Sequence, residues 1–292
     1  MPAGASDNAA LFNRAHVRRQ RDRAAPRASE HFLKNWVIDN LSDRLQDVKR
    51  DFETGLVIGA PSKDTGDIAK HLITTDISSS QLSTVSGNRV HCAEDFLPFK
   101  SNSFDLVYSP LCLHSVNDLP GALIQINRCL RPDGLFIGAM FGGETLFELR
   151  SCITEAELNM TGGISPRVFP FADKQQAGAL LQRAGFALPV VDSELLTVTY
   201  NDMNALMSDL RLMGETNVIA ARDKKFTSRH LFELASNLYS KRYAEEDGRI
   251  VASFEIIFMI GWAPHESQQQ PLRPGSAENR LSEFLNTEEI KI

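Results

Sequence analysis

A chain of 292 residues, 42% apolar and 23% charged with a net charge of −6, is ordinary for a globular protein and long enough for one large or two small domains. The negative balance excludes a general attraction to nucleic acid or anionic membranes. No apolar run approaches the roughly 18–20 residues that span a bilayer, and no signal-peptide core follows the small, polar stretch from Met1 to Ala10.

In chain order, the first unusual segment is Arg14–Arg27, where Arg14, Arg18, Arg19, Arg21, Arg23 and Arg27 face a single acid, Asp22. Such a segment is by default a solvated helix face; a phosphate-binding arm and a mitochondrial transit peptide are the alternatives. Residues 31–50 place Phe32, Trp36, Val37, Leu41, Leu45 and Val48 at helical spacing, which predicts one or two amphipathic helices. The period then changes to that of short strands: Thr54–Ile58 ending at Gly59, Leu72–Thr75 ending at Asp76, Asn88–Cys92, Phe104–Ser109 and Leu135–Met140. Helical stretches at Asp64–His71 and Leu119–Leu130 fall between them. A further helix at 174–184 stops at Gly185, and a strand at Ala187–Asp192 follows. Residues 201–242 read as wholly helical, and Ser253–Ile260 is a late strand apolar enough to pair inside a sheet.

Strands alternating with helices predict a Rossmann-like α/β fold, with a seven-stranded, mostly parallel sheet covered by helices on both faces. The expected organisation is a basic arm and helices over 1–50, a core over 51–200, a helical insert over 201–245, the last core strand over 246–265 and a loose tail over 266–292. Cys92, Cys112, Cys129 and Cys152 lie 17 to 23 residues apart, too far for the usual zinc or redox spacings, so they read as reduced core thiols. The absence of an HxD or HxE pair predicts no tightly bound metal.

Sheets of this kind bind ligands just beyond the carboxyl ends of their strands. Asp76 stands where an acid holds ribose hydroxyls, although an Asp there can also cap the next helix. His114 follows the fourth strand and is either a base or substrate clamp or a piece of hydrogen-bonded framework. Glu144 follows Gly142–Gly143 after the fifth strand, placed to meet a cationic group or to serve a helix N-terminus.

The stretch AEDFLPFKSNSFDLVYSPLCLHSVNDLPGALIQINRCLRPDGLF resembles the middle of class I S-adenosylmethionine (SAM) methyltransferases, in the subgroup of the malonyl-carrier-protein enzyme of biotin synthesis. The resemblance implies SAM as cofactor, with contacts at Gly59, Ala60, Pro61, Asp76, Ile77, Glu94, Asp95, Phe96 and Ser109. The first loop departs from that family's L-D-L-G-x-G-x-G. Here it reads LVIGAPSK, with Val57 at the acid's position, Pro61 and Lys63 at the second and third glycines, and Ala93 at the adenine-binding acid. Losing two hydrogen bonds to charged groups costs about 3–6 kcal/mol, so SAM affinity is expected to fall on the order of a hundredfold to ten-thousandfold.

Segments outside that middle (LFNRAHVRRQRDRAA, FIGAMFGGETLFELR, GGISPRVFPFAD, LLQRAGFALPVVDSE, DLRLMGETN and YAEEDGRIVASFEIIFMIGWAPHESQ) look like a narrower family, the mitochondrial arginine hydroxylases known as complex I assembly factor five. This similarity covers nearly all of residues 11–276. It implies hydroxylation of an arginine in an iron–sulfur subunit of NADH:ubiquinone oxidoreductase during early assembly. The family segment begins at Leu11, which leaves little room for a transit peptide and points to a bacterial cytoplasmic member, with the mitochondrial matrix as the alternative. Two other readings stand beside it: a SAM-dependent methyltransferase of a protein or carrier-bound acid, and a non-catalytic assembly chaperone that kept the scaffold.

Overall fold

The structure, a computed structural model, describes residues 10–269. Seven strands form one sheet: β1 (Thr54–Ile58), β2 (His71–Asp76), β3 (Asn88–His91), β4 (Phe104–Pro110), β5 (Leu130–Phe141), β6 (Ala187–Tyr200) and β7 (Ile250–Trp262). Their order is β3-β2-β1-β4-β5-β7-β6. Neighbours pair in parallel except where β7 runs antiparallel between β5 and β6. This is the Rossmann-like, mostly parallel architecture that the strand–helix alternation predicts, and the apolar late strand does lie inside the sheet.

Alternation along the strands sorts side chains to two faces. In β5, Leu135, Ile137, Ala139 and Phe141 join one core cluster, while Phe136 and Met140 join the other. The first cluster is closed by α2 (Phe32–Gln46), α5 (Phe147–Thr161), α7 (Met203–Met213) and α8 (Arg229–Tyr243). The second is closed by α4 (Leu119–Cys129) and α6 (Lys174–Arg183). Burying each large apolar side chain is worth about 1.5–3 kcal/mol. A one-residue slip of β5 would turn every one of them to the wrong face, so its register is strongly specified. In α2 the fully buried stripe is Leu33, Val37, Ile38, Leu41 and Leu45, with Phe32, Trp36 and Val48 at its margin. The helical period is as read, rotated slightly toward the sheet.

Three elements differ from the sequence reading. Residues 64–70 are irregular rather than helical. Asp64 caps a tight turn by accepting the Gly66 N–H at 3.0 Å, and Gly66 takes φ +70°. The segment 201–242 is two helices: Gly214, at φ +80°, stops α7, and an irregular run lasts until Ser228 caps α8. The edge strand β6 continues to Tyr200, paired along its length with β7. The expected loose tail lies outside the described residues beyond Gln269, as do the first nine residues. Among the described residues, no helix is long and apolar enough to cross a membrane.

Helix α1 (Arg14–Ala24) and the short α3 (Ser79–Ser83) belong to neither main layer. The strand order reverses between β1 and β4, which opens the crevice where such sheets place their ligands. Helix α1 sits over that crevice.

Candidate functional site

At the top of β1 the chain turns through Gly59, whose φ of +84° a side chain rarely adopts. Its N–H donates to the Thr75 carbonyl at 2.8 Å, and the next N–H, of Ala60, donates to Asp76 Oδ2 at 2.9 Å. Asp76 ends β2 and is 1% exposed; its Oδ1 accepts the Ser78 N–H at 2.7 Å. Glu94, beyond β3, is equally buried and faces the same space. Gly59, Ala60, Asp76 and Glu94 therefore converge on one crevice.

The crevice holds the chain's own arginines. Arg21 of α1 reaches Asp76 Oδ1 at 3.3 Å and also donates to Glu94 Oε1. Arg14, two helical turns earlier, donates to Glu94 Oε2 and to the Ser115 carbonyl at 2.8 Å. Lys34 of α2 donates to the Ala60 carbonyl at 2.8 Å. Burial alone would raise the Glu94 carboxyl, but the two guanidiniums overturn that and hold it at about 2. The same burial lowers Lys34, against the pull of Asp76, and takes His31 down to about 3.

Helix α1 is held in place at both ends. Asn13 caps it by accepting the His16 N–H, and Phe12 pairs with Ile219 and exchanges hydrogen bonds with Asn117. Phe12 and Val17 pack with Phe169, Val218 and Ile219. At the other end Gly214 lets α7 approach closely, for a Cβ there would lie 3.3 Å from that of Ala24. The solvated-face reading of the arginine segment thus holds for Arg18, Arg19, Arg23 and Arg27, which are exposed, and fails for Arg14 and Arg21. The signal was present: Arg14, Val17, Arg21 and Ala24 recur at helical spacing on one face.

Between Arg21, Lys34, Ala60, Asp76 and Glu215 the remaining cavity is about 20 Å³, room for roughly one water. Both Asp76 oxygens already accept hydrogen bonds. Val57 is packed into the main core, and Lys63 pairs outward with Asp39. With α1 seated, these residues do not fit SAM. Addition of SAM at about 100 μM is expected to stabilise the chain by less than about 0.4 kcal/mol, hence to shift the thermal midpoint by no more than about 1 °C. A rise of several degrees would show that the arm yields to the nucleoside.

The other expected site residues are dispersed. Ser109 is fully buried, against the Cys112 thiol at 3.2 Å. Phe96 is 69% exposed. Asp95 meets Gln125 through its carbonyl at 2.7 Å, and Ile77 is half-buried, its carbonyl against His91. Pro61 is half-buried beside the crevice. Glu144 is exposed, and its N–H donates to Glu255 Oε2 at 3.0 Å. His114 is buried, with its ring against Phe141 and Phe171. Its Nε2 lies 3.1 Å from Glu215 Oε2, while its Nδ1 is buried without a partner. The acid that His114 meets is therefore Glu215, displayed just after the left-handed Gly214, and not Glu144. Burial would raise the Glu215 carboxyl, and the adjacent His114 brings it below its ordinary value.

Residues 52–138 match the model of a methyltransferase domain family. The chain is 41% identical over 280 residues to the mitochondrial arginine-hydroxylase NDUFAF5 of Danio rerio, covering 91% of this chain and 87% of the relative. It is 32% identical over 273 residues to the malonyl-[acyl-carrier protein] O-methyltransferase of Halorhodospira halophila, covering 87% and 90% respectively. Among solved structures, the YcgJ protein of Bacillus subtilis superposes with a TM-score of 0.53 at 15% identity, over 77% of this chain and 98% of that one. That last likeness concerns the fold alone.

Proposed function

The chain belongs to the NDUFAF5 arginine-hydroxylase family, and on that premise we propose that it recognises an arginine side chain of a partner protein and adds a hydroxyl to it, with dioxygen as the source of the oxygen atom and an external two-electron donor reducing the second atom to water. The proposed partner is an iron–sulfur subunit of NADH:ubiquinone oxidoreductase, met during assembly of that complex in the bacterial cytoplasm or, alternatively, the mitochondrial matrix. The observation that carries this reading is the extent of the likeness, which runs far outside the matched methyltransferase domain. In the relative from Mus musculus, matched over 99% of this chain at 40% identity, the added regions include α1 and the segment that presents Glu215 to His114.

In this reading His114 and Glu215 are the working pair, since a buried imidazole meets a half-buried acid there beside the crevice. Their geometry supports a positioning role: Glu215 holds one ring nitrogen of His114, while Nδ1 remains available as an acceptor or donor. No step is assigned to SAM, because Arg14 and Arg21 are bonded to Asp76 and Glu94, two of its expected contacts.

A second reading, a non-catalytic assembly chaperone, is favoured by those same ion pairs. Mass spectrometry of the oxidoreductase subunits from cells with and without this chain separates the possibilities. The expected result is one added oxygen on an arginine, present only with the chain. An added methyl would support a SAM-dependent methyltransferase instead. Unmodified subunits that still bind the chain would establish the chaperone.

A further inference from the structure

A predominantly apolar space lies beside the crevice, beyond His114. It is a cavity of about 220 Å³ between the end of β5, the start of α5, helix α7 and the segment Arg167–Phe171. A cavity of about 150 Å³ suffices for benzene, so this one has room for a longer side chain. Phe141, Phe169, Phe171, Phe232 and Phe254 line it. Aromatic faces carry negative potential and attract cations.

Its polar groups point the same way. Glu215 is the one acid in the lining, and it also borders the crevice under α1. Only its Oε2 is bonded to His114. The hydroxyl of Thr216, also in the lining, is buried without a hydrogen-bond partner. Two cations border the space, but neither offers a free charge inside it. Arg167 is paired with Glu157 at 2.7 Å and donates to Thr227, and Arg211 lies at the exposed rim. The cavity therefore combines apolar, aromatic walls with a single carboxylate among its lining. An anionic ligand would meet Glu215, and a purely aliphatic one would leave the buried Thr216 hydroxyl unanswered, at a cost of about 1–3 kcal/mol.

We propose that this cavity is the substrate side-chain pocket and that it takes a peptidyl arginine, its stem along the phenylalanine walls and its guanidinium on Glu215. The assignment rests on the arginine-directed reading above and deepens it. The pocket brings the guanidinium to the His114–Glu215 pair, on the side of that pair away from Arg21.

The test titrates the full chain, with its phenylalanine rings isotope-labelled, against Nα-acetyl-arginine methylamide and its neutral isostere Nα-acetyl-citrulline methylamide. The arginine compound is expected to shift the ring resonances of Phe141, Phe169 and Phe171, and the citrulline compound to bind about tenfold more weakly, as the loss of about 1.4 kcal/mol requires. E215Q should erase that preference, and M207W, which fills the cavity from α7, should abolish binding while circular dichroism stays that of the parent. Equal binding of both compounds, or a preference that survives in either variant, overturns the pocket. Oxygenation of the partner's arginine by M207W at the parent's rate overturns the pocket while leaving the arginine-directed function standing. Conversely, specific binding with no modification of any subunit retains the pocket and removes the chemistry.

Discussion

Replacing Arg21 with alanine is expected to destabilise the folded chain by about 3–5 kcal/mol, the range for stripping one partner from a buried ion pair. The carboxylates it neutralises, Asp76 and Glu94, each have side chains only 1% exposed. Arg14 stays on Glu94 in the variant, but Asp76 is left without a cation within bonding distance. Urea unfolding measures the loss as a fall in midpoint at unchanged slope. Arg18→Ala, on the exposed side of the same helix, should stay within about 0.5 kcal/mol. A midpoint for R21A that matches the parent would show that α1 is not seated on these acids in solution.

The same pair sets an acid limit. Glu94 is held at about 2, below the ordinary 4.5 for its carboxyl. A depressed carboxyl contributes its full stabilisation above the unfolded-state value and loses it as pH falls toward the folded-state value. The gap between parent and R21A should therefore be widest near neutrality and close between about pH 4.5 and pH 2. A gap independent of pH across that window would mean that the loss comes from packing and not from charge.

Gly59→Ala is the second large effect, expected to cost about 2–5 kcal/mol. About 1–2 kcal/mol comes from placing a side chain in the left-handed region. A further 1–3 kcal/mol, roughly, comes from overpacking. The new Cβ would lie 2.7 Å from Cys112 Cβ and 2.8 Å from its Sγ. Cys112 cannot retreat, being 1% exposed with its thiol donating to the Ile58 carbonyl at 3.1 Å. Gly66→Ala supplies the comparison, since its φ of +70° is similarly left-handed but a Cβ there would meet nothing within 4 Å. It should show the conformational cost alone. Thermal unfolding of the two variants separates the terms, and equal losses would rule out the Cys112 clash.

Much of this protein is local in origin and was therefore legible along the chain. Continuous apolar runs such as Leu135–Met140 and the helical stripe of α2 depend on near neighbours, so the α/β class, the strands and the crevice-forming Gly59 and Asp76 could be read along the chain. So could what had been lost from the first loop, at Val57, Pro61 and Lys63. What fills that space instead depends on contacts between distant segments of the chain. Arg21 lies 73 positions from Glu94, and His114 lies 101 from Glu215. No periodicity links residues so far apart, and burial there is what converts ordinary charged side chains into a filled crevice and a paired site. Glu144 illustrates the converse: its place after β5 could be read, but not the hydrogen bond that ties its N–H to Glu255, 111 residues away. Position along a strand is set by backbone geometry, whereas the partners of a loop depend on which distant strand lies beside it.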